Sequence, residues 1–229
     1  MTLPKRYIRN CSALSESDYV ELSRAHVAVV GCGGLGGSVI ESLARVGVGS
    51  LRLIDGDVFE ESNLNRQILC TEADLKRKKV RVAAERVRAI NSSVSVETLD
   101  VFVGEKYAAR FLSDTDCVVD CLDSLPARFW TARACQELGI PVVYGSVAGW
   151  FGQVCTVFPG DPSFASIYGT IEGKSLHKEL GTLPFAASAV AAVQAAEVVK
   201  VLLHRPSLLR NRLLMIDLLD GSMEDVELQ

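Results

Sequence analysis

A chain of 229 residues, 48% hydrophobic and 23% charged, can bury a full core, which excludes a disordered tail and a stapled mini-domain. Its net charge of −4 gives no overall basic footprint for nucleic acid, so an anionic ligand must be met by a local cluster of cations. Seven cysteines (Cys11, Cys32, Cys70, Cys117, Cys121, Cys135 and Cys155) include no C-x-x-C pair, arguing against a secreted disulfide framework and a short-spaced zinc site. With no apolar signal core behind the charges of Met1–Tyr7, the expectation is a reducing cytosol.

Along the chain, strands and helices alternate after a helical arm over residues 1–24. Val27–Val30 is a short apolar run suited to a central parallel strand buried on both faces, followed by a glycine-rich turn and a helix over Leu35–Val46. Leu51–Ile54 reads as a second strand. Thr71-x-x-Asp74 has the form of a capping box, opening a helix with Val80, Ala83, Ala84 and Val87 on one face. Val94–Leu99, Cys117–Val119 and Pro141–Tyr144 read as further strands, with helices over Glu105–Leu112 and Ala127–Leu138 between them. Gly152–Phe158 reads as a strand reached without a helix. The stretch Pro159 to Thr182, rich in glycine and proline and carrying Lys174, His177 and Lys178, has no periodicity and reads as a long crossover loop.

Leu183–Leu203 is apolar and long enough to span a bilayer, but Gln194, Glu197 and Lys200 recur every three residues. That polar stripe predicts a buried helix with one wet edge, and no membrane association. Leu213–Leu219 is the last predicted strand. The whole predicts a single α/β domain, Rossmann-like and doubly wound, with a mostly parallel sheet and additional C-terminal strands.

Gly31-Cys32-Gly33-Gly34-Leu35-Gly36 fits G-x-G-x-x-G between a strand and a helix, where glycines admit a phosphate close to the backbone at the positive end of a helix. Asp55 ends the next strand nineteen residues after Gly36, where a ribose-binding carboxylate belongs. The glycine turn alone also fits a NAD-dependent dehydrogenase, or simple packing of helix on strand. Asn63 and Arg66 follow Asp55, and Lys79 comes thirteen residues after Arg66 in the run Lys76–Lys79. A triphosphate under attack needs such fixed cations and a metal. By itself the lysine run reads more readily as a solvated helix face. Asp123 leaves the fourth strand at its carboxyl end, placed to hold Mg²⁺ or to cap the following helix.

In combination, Arg6-Tyr7-Ile8-Arg9, the glycine turn, Asp55-x-Asp57, Ser62-Asn63-Leu64-Asn65-Arg66-Gln67, Lys79 and Asp120-x-x-Asp123 resemble the MoeB/ThiF/HesA adenylyltransferases, relatives of ubiquitin-activating enzymes. The resemblance runs from Arg6 to about Leu219. It implies ATP and Mg²⁺ as cofactors and, as partner, a small β-grasp sulfur-carrier protein ending in Gly-Gly, whose carboxylate is joined to AMP with release of pyrophosphate. A separate sulfur donor then completes the carrier, in molybdopterin-type or thiamine cofactor synthesis. The implied site has Gly31, Gly33, Gly34 and Gly36 in the turn, Gly34 against the nucleotide, Asp55 on ribose and Asp57 beside it. Asn63, Arg66 and Lys79 hold phosphates, Asp123 the metal, and Arg9 reaches the other subunit's ATP in a homodimer. No general base is required, because the attacking carboxylate is already ionised near neutral pH, and His26, His177 and His204 are expected to be structural or superficial.

The chain departs from the family in two ways. The C-x-x-C pairs that many members use for zinc are missing around Gly160–Ser166 and at the C-terminus, so no zinc is expected. No cysteine lies in Pro159–Thr182, so adenylation without a covalent carrier–enzyme step is expected. Ser124 stands where the family often has Asn. Cys32 reads as an inert small residue, Cys117 and Cys121 as core, and Trp150, Phe151 and Phe158 as packing or a carrier-facing surface, with packing favoured. The alternatives are an adenylyltransferase acting on a modified tRNA base, against which the acidic charge counts, the dehydrogenase, which leaves Arg66, Lys79 and Asp123 idle, and an inactive partner subunit, which should have lost those residues.

Overall fold

The structure, a computed structural model, describes residues 3–169 and 177–228, the side chains of residues 177 and 178 excepted. The predicted strand segments form β1 (His26–Val30), β2 (Ser50–Ile54), β3 (Ser95–Leu99), β4 (Cys117–Asp120) and β5 (Val142–Ala148), joined in parallel. β6 (Phe151–Val157), β7 (Arg212–Asp217) and β8 (Ser222–Glu227) continue the sheet antiparallel, giving the order β3-β2-β1-β4-β5-β6-β7-β8.

The reason for the continuous apolar runs is visible in β1. Val27 and Val29 enter one core with Ile40, Leu43 and Val198, while Ala28 and Val30 enter a second with Ala132 and Cys135. The first face is covered by α2 (Gly34–Val46), α3 (Lys79–Ile90) and α8 (Pro184–Leu202), the second by α4 (Ala108–Leu112), α5 (Leu125–Leu138) and α6 (Ser163–Tyr168). A strand covered on both sides has no face for polar residues. The crossovers leave β1 and β4 toward opposite faces, which places a crevice outside their carboxyl ends.

Several expectations are corrected. The Thr71–Asp74 capping box forms, but it opens only a 3-10 turn over Glu72–Asp74. Lys76 then takes a φ of +69°, which a helix cannot propagate through, and α3 starts afresh at Lys79. The helix expected from Glu105 begins at Ala108, because Tyr107 is not yet helical. β8 went unrecognised in the sequence because its residues are exposed along their whole length and its charges mask the alternation. The N-terminal arm comprises a 3-10 turn, Lys5–Asn10, and α1 (Glu16–Leu22). In the crossover stretch, α6 and α7 (His177–Leu180) form where only loop was expected; Lys174 and the side chains of His177 and Lys178 lie outside the described residues. Trp150 and Phe151 are exposed rather than packed, Trp150 lying 4.9 Å from the Phe185 ring. Phe158 is part of the packing.

The polar stripe of α8 is not a wet edge. Gln194 is 0% and Glu197 1% exposed, and only Lys200 reaches solvent. Glu197 accepts hydrogen bonds from the Thr156 hydroxyl (2.6 Å) and the Leu209 amide (2.8 Å) and pairs with Lys200. Gln194 donates to the main-chain carbonyls of Asp120 (3.0 Å) and Val143 (3.3 Å). α8 is therefore bolted to the sheet by satisfied buried polar groups.

Removing the carboxylate would strand those donors. Glu197→Leu is expected to lower unfolding free energy by about 3 kcal/mol, read from urea titration with an unchanged m-value; a loss below about 0.5 kcal/mol would contradict the bolting role. Six of the seven cysteines are buried and Cys11 is exposed. A thiol reagent is expected to label Cys11 alone in the folded protein, and fast labelling of the others would show that the core is open.

Candidate active site

At the end of β1 the chain turns through Gly31, whose φ is +95° and where a Cβ would lie 2.6 Å from the Cys121 carbonyl oxygen. A Cβ on Gly36 would meet the Gly31 carbonyl oxygen at 1.8 Å. Only glycine at both positions lets α2 start directly above the strand, and its free N–H groups and positive dipole end then face the carboxyl edge of the sheet. Gly31, Gly33 and Gly34 line a cavity of about 440 Å³ there, while Gly36 is spent on packing beneath the turn.

The second wall comes from the end of β2. The Asp55 carboxylate accepts from the Cys32 amide (2.7 Å) and the Asp57 amide (2.8 Å), so it is held rigidly between the glycine turn and its own loop. Lys79, the first residue of α3, is anchored to Asp57 at both ends. Its amide donates to the Asp57 carbonyl (3.1 Å) and its Nζ lies 3.1 Å from Oδ2. Lys79 is buried, which corrects the solvated face that its charge run by itself favoured.

Arg66 is presented by a 3-10 turn over Glu61–Asn63. The buried Asn63 side chain closes that turn by accepting the Glu60 amide (3.0 Å), and its carbonyl accepts the amides of Arg66 and Gln67. The Arg66 guanidinium donates to the Ser62 carbonyl and the Asn65 side chain, both at 2.8 Å. Asn63 is therefore a builder of the loop and is not in the cavity lining; Arg66 and Lys79 are.

The third wall follows β4. Asp120 is fully buried and pairs with Arg128 (3.2 Å) and the Tyr168 hydroxyl (3.1 Å). Burial pushes the Asp120 carboxyl above the ordinary carboxylate range, and Arg128 opposes that shift. Asp123 and Ser124 lie on the cavity wall, and the N-terminus of α5 carries no side-chain cap, so the capping role open to Asp123 is not the one adopted. Among the described residues Asp123 makes no hydrogen bond or ion pair. No cluster of three or more His, Cys, Asp or Glu side chains able to hold a metal unaided occurs among the described residues. A single free carboxylate beside a polyphosphate site fits Mg²⁺, which takes one or two protein carboxylates and completes its shell with water and phosphate oxygens.

The cavity thus joins three carboxylates (Asp55, Asp57, Asp123) to two cations (Arg66, Lys79) and the end of α2, with Arg128 in its wall paired to Asp120. Such a set can hold ribose hydroxyls, neutralise phosphates and accept a hydrated divalent cation. Arg9 is elsewhere, bordering a shallow concavity with Arg6, Asn10, Arg45 and Asn91. Cys32 is buried and burial raises its thiol pKa well above normal, consistent with an inert residue. His26 bonds the Asp114 carbonyl and His204 approaches Glu21; neither lines the cavity.

Three lining residues had no role assigned from sequence. Gln67 was visible within the Ser62–Gln67 motif; it is buried, and its Oε1 has no partner among the described residues. Arg128 lies eight residues after Asp120, on a helix whose pattern gave no hint of a buried cation. Tyr168 sits in the stretch without periodicity, where no signal existed.

A family model described as the ThiF family matches residues 5–229. The "SAMP-activating enzyme E1" of Haloferax volcanii is 36% identical over 211 residues, 90% of this chain and 77% of the relative. The "Sulfur carrier protein adenylyltransferase" of Thermus thermophilus is 35% identical over 217 residues, 88% of this chain and 78% of the relative. Against the Arabidopsis thaliana "Adenylyltransferase and sulfurtransferase MOCS3" the chain spans 46% of the relative's length. Among solved structures, that of Escherichia coli MccB superposes with a TM-score of 0.85 at 22% identity, over 98% of this chain and 69% of that one, a likeness of fold. The chain belongs to the ThiF family and is an enzyme of the adenylyltransferase class.

Proposed function

We propose that this enzyme uses Mg·ATP to adenylate the C-terminal Gly-Gly carboxylate of a small β-grasp sulfur-carrier protein in the cytoplasm. One observation carries the reading: Arg66, Lys79 and Asp123, distant in sequence, line the same cavity as Asp55 and the glycine turn. The names of the relatives, a sulfur-carrier adenylyltransferase and a SAMP-activating E1, support the class of carrier. The carrier of molybdopterin-type synthesis is favoured by the Haemophilus influenzae "Molybdopterin-synthase adenylyltransferase", 32% identical over 211 residues.

In this mechanism Asp55 binds the ribose, and the turn amides with Arg66 and Lys79 hold the triphosphate. A carboxylate oxygen of the carrier attacks the α-phosphorus, a new P–O bond forms, and the bond to pyrophosphate breaks. Two anions meet, so the barrier is electrostatic, and fixed cations in a partly enclosed site lower it. Asp123 would hold Mg²⁺, which would supply further neutralisation of the phosphates. Lys79 is already tied to Asp57, which keeps its ammonium in place without reorganisation at the moment of reaction. A separate sulfur donor consumes the acyl-adenylate.

Arg9 does not line the cavity. Its proposed contact with ATP is therefore made across a homodimer, where it adds a cation to the other subunit's site.

Exchange of labelled pyrophosphate into ATP, dependent on a Gly-Gly-tailed carrier, tests the activity. Arg66→Ala and Asp123→Ala are each expected to slow it about 10²–10³-fold, the scale of one lost transition-state contact; wild-type exchange in either removes that residue from the mechanism. Arg9→Ala mixed and refolded with Arg66→Ala is expected to regain activity through hybrid dimers. Mixtures no more active than their parents would refute the role in trans.

A further inference from the structure

Among the described residues Asp123 makes no contact of its own that fixes it, yet its role requires a defined position. The peptide that carries it is held from below. Asp120 Oδ1 accepts the Leu122 amide (3.1 Å), and the Arg128 guanidinium donates to the Leu122 carbonyl. Arg128 also pairs with Asp120 Oδ2, so one buried guanidinium bridges both ends of the turn from Asp120 to Leu122. Tyr168 donates to that same Oδ2, its ring 5.6 Å from the Tyr144 ring and edge-on to it, while Arg128 lies 5.1 Å from the centre of Tyr144. Gln194 of α8 holds the Asp120 carbonyl.

Every acceptor of Asp120 is thus engaged, and the next residue beyond the clamped Leu122 is Asp123. Burying an arginine, an aspartate and a tyrosine under a cavity is costly unless all partners are present. Packing alone would be served as well by apolar side chains of similar volume. We propose that Arg128, oriented by Asp120 and Tyr168, is a positioning residue that sets the Asp123 carboxylate for the nucleotide's divalent cation. The assignment rests on the reading of Asp123 given above. It adds that the affinity for the metal is set from beneath the turn, and that α6, through Tyr168, takes part in it.

The step involved is one of geometry. Lysine in place of Arg128 keeps the charge but lacks the planar fork that reaches Asp120 and the Leu122 carbonyl together. Phenylalanine in place of Tyr168 keeps the ring packing and loses one hydrogen bond. Neither change removes an atom that touches the phosphates through Arg66 or Lys79.

Binding of Mn²⁺ to the protein with a non-hydrolysable α,β-methylene ATP, followed by the electron paramagnetic resonance of free Mn²⁺, reads the effect without turnover. Arg128→Lys is expected to weaken Mn²⁺ binding about tenfold or more, as loss of a residue supporting a metal ligand does. Tyr168→Phe is expected to weaken it about threefold to tenfold, the range for one hydrogen bond. Binding of the same analogue in excess EDTA is expected to stay within about twofold in both. In an Asp123→Ala background both substitutions are expected to have no further effect on Mn²⁺, because the group they position is gone. Unaltered Mn²⁺ binding in folded Tyr168→Phe or Arg128→Lys, beside a defective Asp123→Ala, would overturn the positioning role alone, as would full additivity with Asp123→Ala. Intact Mn²⁺ binding in Asp123→Ala would overturn the metal reading and this proposal together.

Discussion

The close approach of the glycine turn to the end of β4 is the constraint on which the site rests. With the Gly31 Cβ position 2.6 Å from the Cys121 carbonyl oxygen, β1 and β4 run out side by side and α2 begins after a turn of only three residues. The free amides of α2 therefore point into the crevice where the crossovers diverge. Asp55 reinforces this placement by accepting the Cys32 amide from the turn itself. A carboxylate suited to ribose is thus also part of the frame that shapes the phosphate-facing loop.

Around that frame the molecule solves an electrostatic problem locally. For the proposed reaction, a chain of net charge −4 needs local cations where a polyphosphate and a carboxylate would meet. Arg66 and Lys79 supply them, restrained differently: by a loop carbonyl and Asn65, and by Asp57. The restraints matter because a cation already oriented gives up little freedom when the anion arrives. Buried polar groups elsewhere play the matching structural part. Gln194 ties α8 to the end of β4 and Glu197 ties it to β6, so the helix that backs the antiparallel extension also supports the Asp120 turn.

Much of the fold was legible because it depends on local pattern. Runs such as Val27–Val30 and Leu51–Ile54 mark strands buried on both sides, and the glycine turn marks where the first helix begins. Lys79, Arg66 and Asp123 were legible only as spacing within a motif resemblance. Their meeting at one cavity depends on the sheet order. Other features failed for identifiable reasons. The α8 stripe reads as solvent-facing because periodicity registers polarity and not the partners that satisfy it. Lys76, by adopting a left-handed conformation, separates a correctly formed capping box from the helix it was expected to open. β8 is an exposed, charged edge with too little apolar alternation to register.

What the sequence by itself determined was the alternation of elements, the position of the glycine turn and the identity of the charges available to a nucleotide, since these follow from side-chain polarity and backbone sterics along a short stretch. Tertiary structure alone decided that Asn63 shapes a loop instead of facing the cavity, that Lys79 is buried against Asp57, and that Asp120, Arg128 and Tyr168 meet beneath Asp123. Lys79 and Asp57 are 22 positions apart and Tyr168 and Asp120 are 48 apart, and the free energy of burying a charge is fixed by which partner the fold delivers, a quantity no local pattern contains.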